Sequence, residues 1–444
     1  MAEAHPPDPG AGSRRVPVLD DAALTGPVGL FVHEAAPFTE ADPAALLASV
    51  LVALGVAAGG APHVDAGNAR QTGGVFALVV AETPTANRGL SWAVTRALLD
   101  VVDPWLARAR VLTGLGNGKA VLDALVSPPP PWAVRLGDTA RHPAPGSDER
   151  LLVFEPAFTR ALAVAARPTS PLAWVIRNAW DGHPLDLPAR RHRLVVERHH
   201  GGIVAHATAD QLRSQLSMTG PGASFVSRFL VVLAARRQHL VDEGNVPSDV
   251  LLRHGRAMAS ALEAVRSVGL LARTPAAAER WAEVYEELAL GGEEGLLGLV
   301  LARASRQVTR LSVAYALAEG SAVISRSNLE AALALWRYGE ASSRFVLGAD
   351  GPSDLATRLL EALAAAGERG LTRSEQADYF GRNVAARDLA SARAELERAG
   401  LVVTAPVRRA ERGRPATVSR VELRSPAERP DGTAMGEPES SFRS

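Results

Sequence analysis

The chain has 444 residues, 47% of them hydrophobic, so it can bury a sizeable core, and its length predicts two folded units. Its 48 basic and 48 acidic side chains cancel, which excludes attraction to nucleic acid through the overall field and leaves only local clusters to supply it. The absence of cysteine excludes disulfides, thiolate nucleophiles and thiolate zinc sites, and suits a reducing cytoplasm.

Residues 1–25 are rich in Pro, Gly and Ala and read as a disordered lead-in, without the basic-then-apolar order of a signal peptide. The stretch from Pro43 to Pro62 carries no charge over about the length that spans a bilayer. Ala and Gly dominate it rather than Leu, Ile and Phe, so the expectation is a buried helix and no membrane. From Gly74 to Val80 a short apolar run bounded by Gly predicts a strand buried on both faces, and a helix is expected from Ser91 to Val102. "ARVLTGLGNGKAVLDAL" repeats the arrangement, with Gly114, Gly116 and Gly118 between strand and helix. Such alternation implies an α/β fold with a parallel sheet.

"SPPPPWAVRLGDTARHPAPGSDER" reads as a surface excursion, because four successive prolines fit neither a helix interior nor a central strand. The core resumes with "RLLVFEPAF", and strands at Gly202 to Ala205 and Phe229 to Ala234 flank the helix "TADQLRSQL". Residues 26–247 are thus expected to form the α/β core. Helical spacing then runs from Ser248 to Phe345, a helical layer or lid over 248–349. Three closely spaced helices follow, and "LVVTAPVRRAERGRPATVSRVEL" supplies two strands around a basic Gly-Pro turn. That order predicts a winged helix-turn-helix over 350–423, with a disordered tail over 424–444.

The strand-to-helix connection "AETPTANRGLS", residues 81–91, has the layout of a phosphate-binding loop. Such a loop wraps phosphate in backbone N–H groups freed by glycines, while a lysine neutralises it and a hydroxyl reaches magnesium. Here Ala81 and Ala86 stand at the glycine positions, and the only cation and later hydroxyl are Arg88 and Ser91. Alanine does not freely adopt positive φ, and the arginine fork is no equivalent of an ammonium at a tight site.

Together with "LLVFE", "IVAHATADQL", "SFVSRFLVV", "LEAALALWRYGEASSRFV" and "LTRSEQADYFGRN", this loop resembles an uncharacterised bacterial family of RecA-like P-loop proteins found with primases and helicases of plasmids, phages and integrated elements. The resemblance spans about residues 28–421 and implies a RecA-like P-loop core. Gly89 and Ser91 match the family's loop; Ala81, Ala86, Arg88 and Leu90 stand where its relatives carry Gly, Gly, Lys and Thr. The expected nucleotide-binding set, in degenerate form, is therefore Arg88, Gly89, Ser91, His206 and Thr208.

Glu155 ends an apolar strand where a RecA-like protein places a catalytic acid; a first-turn helix acid is the equal alternative. His206 and Thr208 close the next strand, as a γ-phosphate sensor or, the locally favoured reading, as a capped strand-to-helix turn. The resemblance implies that Arg228 acts across a subunit boundary as an arginine finger, in a homo-oligomer that periodicity alone does not predict. His192, His199, His200 and His206 lie within fifteen residues but match no zinc-helix spacing, so no metal site is expected.

At the far end, Arg382, Asn383 and Arg387 are expected at the start of the third helix, the end that meets base edges. The wing gathers Arg408, Arg409, Arg412 and Arg414 within seven residues, suiting phosphate contact with double-stranded DNA. The sequence thus points to a cytoplasmic DNA-binding accessory protein of mobile-element replication or maintenance, alongside a primase or helicase partner. Its core is expected to be an inefficient ATPase at most, needing no cofactor and holding ATP and magnesium weakly or not at all. An active helicase-like motor and a winged-helix transcriptional regulator are the alternatives.

Overall fold

The structure is a computed structural model and describes residues 16–67, 69–82, 89–126, 148–188, 193–216, 225–293, 295–347, 354–398, 401–407 and 416–421. The chain divides into two compact units, one over Arg14–Gly348 and one beginning at Ala349.

A five-stranded parallel sheet organises the larger unit. In chain order its strands are β1 (Phe76–Ala81), β2 (Val111–Thr113), β3 (Arg150–Glu155), β4 (His200–Thr208) and β5 (Leu230–Ala234), and in space they run β2-β3-β4-β1-β5. Every residue of β1 is buried, as a central strand covered on both faces demands. Alternation along it sends Ala77 and Val79 to one apolar layer, and Phe76, Leu78 and Val80 to the other.

Helices α1 (Pro43–Ala58), α2 (Gly89–Val102), α7 (Ser248–Val265), α8 (Ala304–Ala318) and α9 (Arg326–Leu347) contribute to the first layer. Against the second pack α3 (Gly118–Leu125), α4 (Phe158–Ala165), α5 (Leu172–Asp181) and α6 (Ala209–Gln215). The expected uncharged helix is α1: Asp42 caps it, and every residue after Pro43 is buried within the protein. Gly55 lets it approach so closely that an added Cβ would strike the carbonyl oxygen of Gly73. No helix among the described residues is long and apolar enough to cross a membrane.

The helices of 248–347 lie as a layer on the sheet, α7, α8 and α9 sharing one core with it. The lead-in does not extend to residue 25, because Asp21–Ala23 form a turn of 3-10 helix whose Ala23 carbonyl accepts from the Tyr315 hydroxyl at 2.7 Å. Short antiparallel hairpins, His63–Ala66 with Ala69–Thr72 and Leu185–Pro188 with Arg193–Val196, also join the unit. The proline-rich excursion falls largely on 127–147, outside the described residues.

Helix α9 closes the sheet at β5. Within it, Tyr338 donates its hydroxyl to the Leu233 carbonyl at 2.7 Å, and Ser342 accepts from the Leu233 N–H at 3.1 Å. Both outward backbone groups of that strand residue are thereby satisfied by side chains.

The smaller unit runs α10 (Asp354–Ala366), β6 (Leu371–Thr372), α11 (Arg373–Tyr379), α12 (Ala386–Arg398), β7 (Val402–Val407) and β8 (Ala416–Val421). Its antiparallel sheet is ordered β6-β8-β7. Leu359, Leu363, Leu389 and Leu396 bury the helices against Leu371, Phe380 and Val402. A reciprocal cap between Thr372 and Glu375 starts α11.

Candidate functional site

Parallel strands bring their carboxyl ends to one edge, and the chain leaves β1 toward β2 on one side while β4 connects to β5 on the other. In an open parallel sheet that divergence makes a crevice where ligands bind. Ala81, at the end of β1, is level with Thr208 on β4 and Ala234 on β5, so the chain leaves β1 at the edge of this crevice. Residues 83–88, including Arg88 and Ala86, lie outside the described residues. Gly89 begins α2, and an added Cβ there would meet nothing. Ser91 is fully buried in the first turn, and its carbonyl accepts from the Thr95 hydroxyl at 2.7 Å.

Register decides the role of Glu155. It pairs with Ala205 on β4, which pairs with Leu78 on β1, three residues short of Ala81. At about 3.3 Å per residue, Glu155 sits about 10 Å below the start of the loop. It shares the alternation of Leu151 and Val153 and so faces the second apolar layer, away from α2. One carboxylate oxygen accepts from the Ala157 N–H at 2.7 Å and the other from the Leu115 N–H. Both oxygens therefore hold backbone, tying the end of β3 to the turn after β2 and to the approach to α4. Glu155 does not lie in the first turn of α4, which starts at Phe158; its bond to Ala157 holds the approach to that helix.

The residue facing α2 at the end of β3 is Phe154. Its ring stacks on Trp92 of α2, centroids 4.5 Å apart and planes 4° from parallel, and meets the edge of His206 at 5.1 Å. His206 is buried at 2% exposure against this pair. Thr208 caps α6 through its hydroxyl, which accepts from the Gln211 N–H. The aromatic stack thus packs against His206, one of the two expected sensor residues, on the face of the sheet toward α2.

Arg228 is likewise turned inward. It precedes β5 at the opposite, amino edge of the sheet, is 3% exposed, and pairs with Asp181 at 2.7 Å. Its burial pushes the guanidinium below its ordinary range, against the Asp181 hydrogen bond that raises it. The pairing escaped sequence reading because Asp181 lies 47 residues away.

His200 is buried and its Nε2 donates to the Gly55 carbonyl at 2.8 Å; burial pushes its pKa to about 4, so it is a neutral core histidine. Among the described residues no cluster could hold a metal ion. His192 lies outside them.

In the smaller unit, α12 begins at Ala386, so Arg382 and Asn383 stand in the turn before it and only Arg387 lies on the helix. All three are exposed. Arg382 adopts φ 59, following Gly381 at φ 59, and pairs with Asp378 at 2.7 Å; Arg387 donates to Asp388 at 3.3 Å. Arg393, on the inner face of α12, is buried and donates to Gln376 at 2.6 Å. The wing arginines Arg408, Arg409, Arg412 and Arg414 lie outside the described residues.

No protein-family model matches this chain, and no curated protein matches it.

Proposed function

We propose that this chain is a DNA-binding accessory protein of mobile-element replication or maintenance, with a RecA-like body that has lost a working nucleotide site and a winged helix that grips duplex DNA. The observation that carries the reading is the element order of the smaller unit: helix, short strand, two helices, then two antiparallel strands. That order suits a winged helix. With it come the exposed Arg382, Asn383 and Arg387 at the entry to α12, the helix such a module inserts in the major groove. Arg and Asn are shaped to read guanine and adenine edges, and the sequence places four more arginines on the β7–β8 connection.

For the body, support comes from the strand order, which puts β4 between the loop-bearing β1 and the acid-bearing β3. The loss of nucleotide chemistry rests on the spent polar groups at the carboxyl edge: Glu155 on two amides, Thr208 on a helix cap, Ser91 buried.

The test is fluorescence-anisotropy titration of a short duplex at rising salt, run beside an ATP-hydrolysis assay with and without DNA. Binding that weakens linearly in log–log form with salt is expected. Arg382→Ala/Asn383→Ala/Arg387→Ala should weaken it about tenfold or more, since each good base contact contributes ~1–3 kcal/mol. Absence of binding at low salt would sink the DNA reading, and DNA-stimulated turnover would replace it with the motor.

A further inference from the structure

At the amino edge of the sheet, away from the crevice, four arginines surround one acid among the described residues. Arg310 of α8 is 4% exposed; it donates to the Gln71 side chain at 3.0 Å, the Gly74 carbonyl at 2.8 Å and the Trp180 carbonyl, and lies 4.2 Å from the Trp180 ring centroid. Arg228 holds Asp181 directly, at 2.7 Å. Arg303 and Arg306 are held far more loosely, at 3.7 and 3.5 Å from the same carboxylate. Beyond that, Arg303 reaches only the Ser227 hydroxyl at 3.3 Å among the described residues, and its guanidinium lies 5.3 Å from the Trp180 ring centroid.

One carboxylate cannot neutralise four guanidinia, and arginine does not shed its proton to relieve the excess. Burial pushes Arg228, Arg303 and Arg310 all downward, and each is also lowered by its arginine neighbours. The Trp180 indole N–H, wholly buried, has no acceptor among the described residues. Helix α8 begins at Ala304 without a side-chain cap, adding the positive end of its dipole. The cluster is nevertheless open to solvent, since the Arg303 and Arg306 side chains remain 26% and 43% exposed. Excess charge, idle fork-shaped donors and access together describe a receptor for an oxyanion of more than one charge.

We propose that Arg303 and Arg306, braced by Asp181 and backed by Arg228 and Arg310, form a binding site for a phosphate group. The site uses neither the loop after β1 nor the smaller unit, so it stands apart from the function proposed above. Free pyrophosphate, a nucleotide and a nucleic-acid backbone all present the required chemistry.

Calorimetric titration of the full chain with pyrophosphate, with ATP lacking magnesium and with a short DNA duplex, at constant ionic strength, distinguishes these sources. At least one should bind the wild type, and Arg303→Gln/Arg306→Gln should weaken that ligand about tenfold or more, as expected for lost bidentate charge-assisted bonds. Arg306→Lys, which keeps the charge and loses the fork, should fall between. Arg108→Gln/Arg198→Gln removes the same charge from side chains 74% and 79% exposed and should change nothing. Whichever ligand weakens identifies the source. The site is refuted if none of the three binds, or if the Arg303/Arg306 pair binds like wild type. It is equally refuted if the only signal is a duplex signal lost solely with Arg382→Ala/Asn383→Ala/Arg387→Ala.

Discussion

Trp92, four residues into α2, lies flat on Phe154 at the end of β3, with ring centroids 4.5 Å apart and planes 4° from parallel. This contact joins the helix after the loop to the acid-bearing strand, on the face opposite Glu155. Such a pair contributes ~0.5–1.5 kcal/mol beyond its buried area. Phe154→Leu is expected to destabilise by about 1–2 kcal/mol in urea unfolding. Adding ATP and magnesium should produce no emission change that depends on Trp92, and a saturable change lost in Trp92→Phe would show that nucleotide reaches the crevice.

Glu155 accepts from two backbone amides, so Glu155→Gln replaces one accepting oxygen with an NH2 group facing another N–H. A loss of about 1–3 kcal/mol is expected from the orphaned amide. Were Glu155 instead a catalytic acid with no structural duty, the substitution would leave the urea midpoint where it is.

The pKa of His200 falls from 6.5 in the unfolded chain to about 4 in the fold, with burial the larger cause and the bond to the Gly55 carbonyl opposing it. The unfolded chain therefore takes up this proton first. Stability from the neutral ring is complete above pH 6.5 and is lost as pH falls toward 4, by about 3 kcal/mol in all. Carboxylates titrate at the lower end of this window, so the measurement is a difference: His200→Gln, which can still donate to Gly55, should lose less stability than wild type between pH 7 and pH 4.5. Parallel losses in both would assign the acid sensitivity elsewhere.

Arg382 sits at φ 59, a conformation glycine adopts without strain. Arg382→Gly should leave the melting temperature unchanged or raised while weakening duplex binding, a separation of fold from contact that an alanine cannot give. Lower stability together with unaltered DNA affinity would assign Arg382 to the turn alone.

Much of the sheet was legible because each strand is a short apolar run closed by a small or polar residue, and each following helix starts where the periodicity changes. "FALVVA" and "RLLVFE" became β1 and β3 within a residue or two of their expected limits. Faces were harder to read. Glu155 and Phe154 are neighbours in the chain, and only the β3–β4 register together with the two layers shows which of them looks toward α2. Arg228 illustrates a second limit: its sequence context is ordinary, and its partners are Asp181, 47 positions earlier, and Gln307 of α8, which donates to its carbonyl from more than seventy positions later. The two hairpins escaped notice because four-residue strands carry too little alternation to stand out.

Tyr338 and Ser342 deny any incoming strand a foothold at Leu233. Copies of this protein cannot multiply by zipping backbone to backbone on that flank, as amyloid and swapped assemblies do. Any partner that meets the protein at Leu233 must be recruited through side chains, which leaves that contact open to tuning by single substitutions.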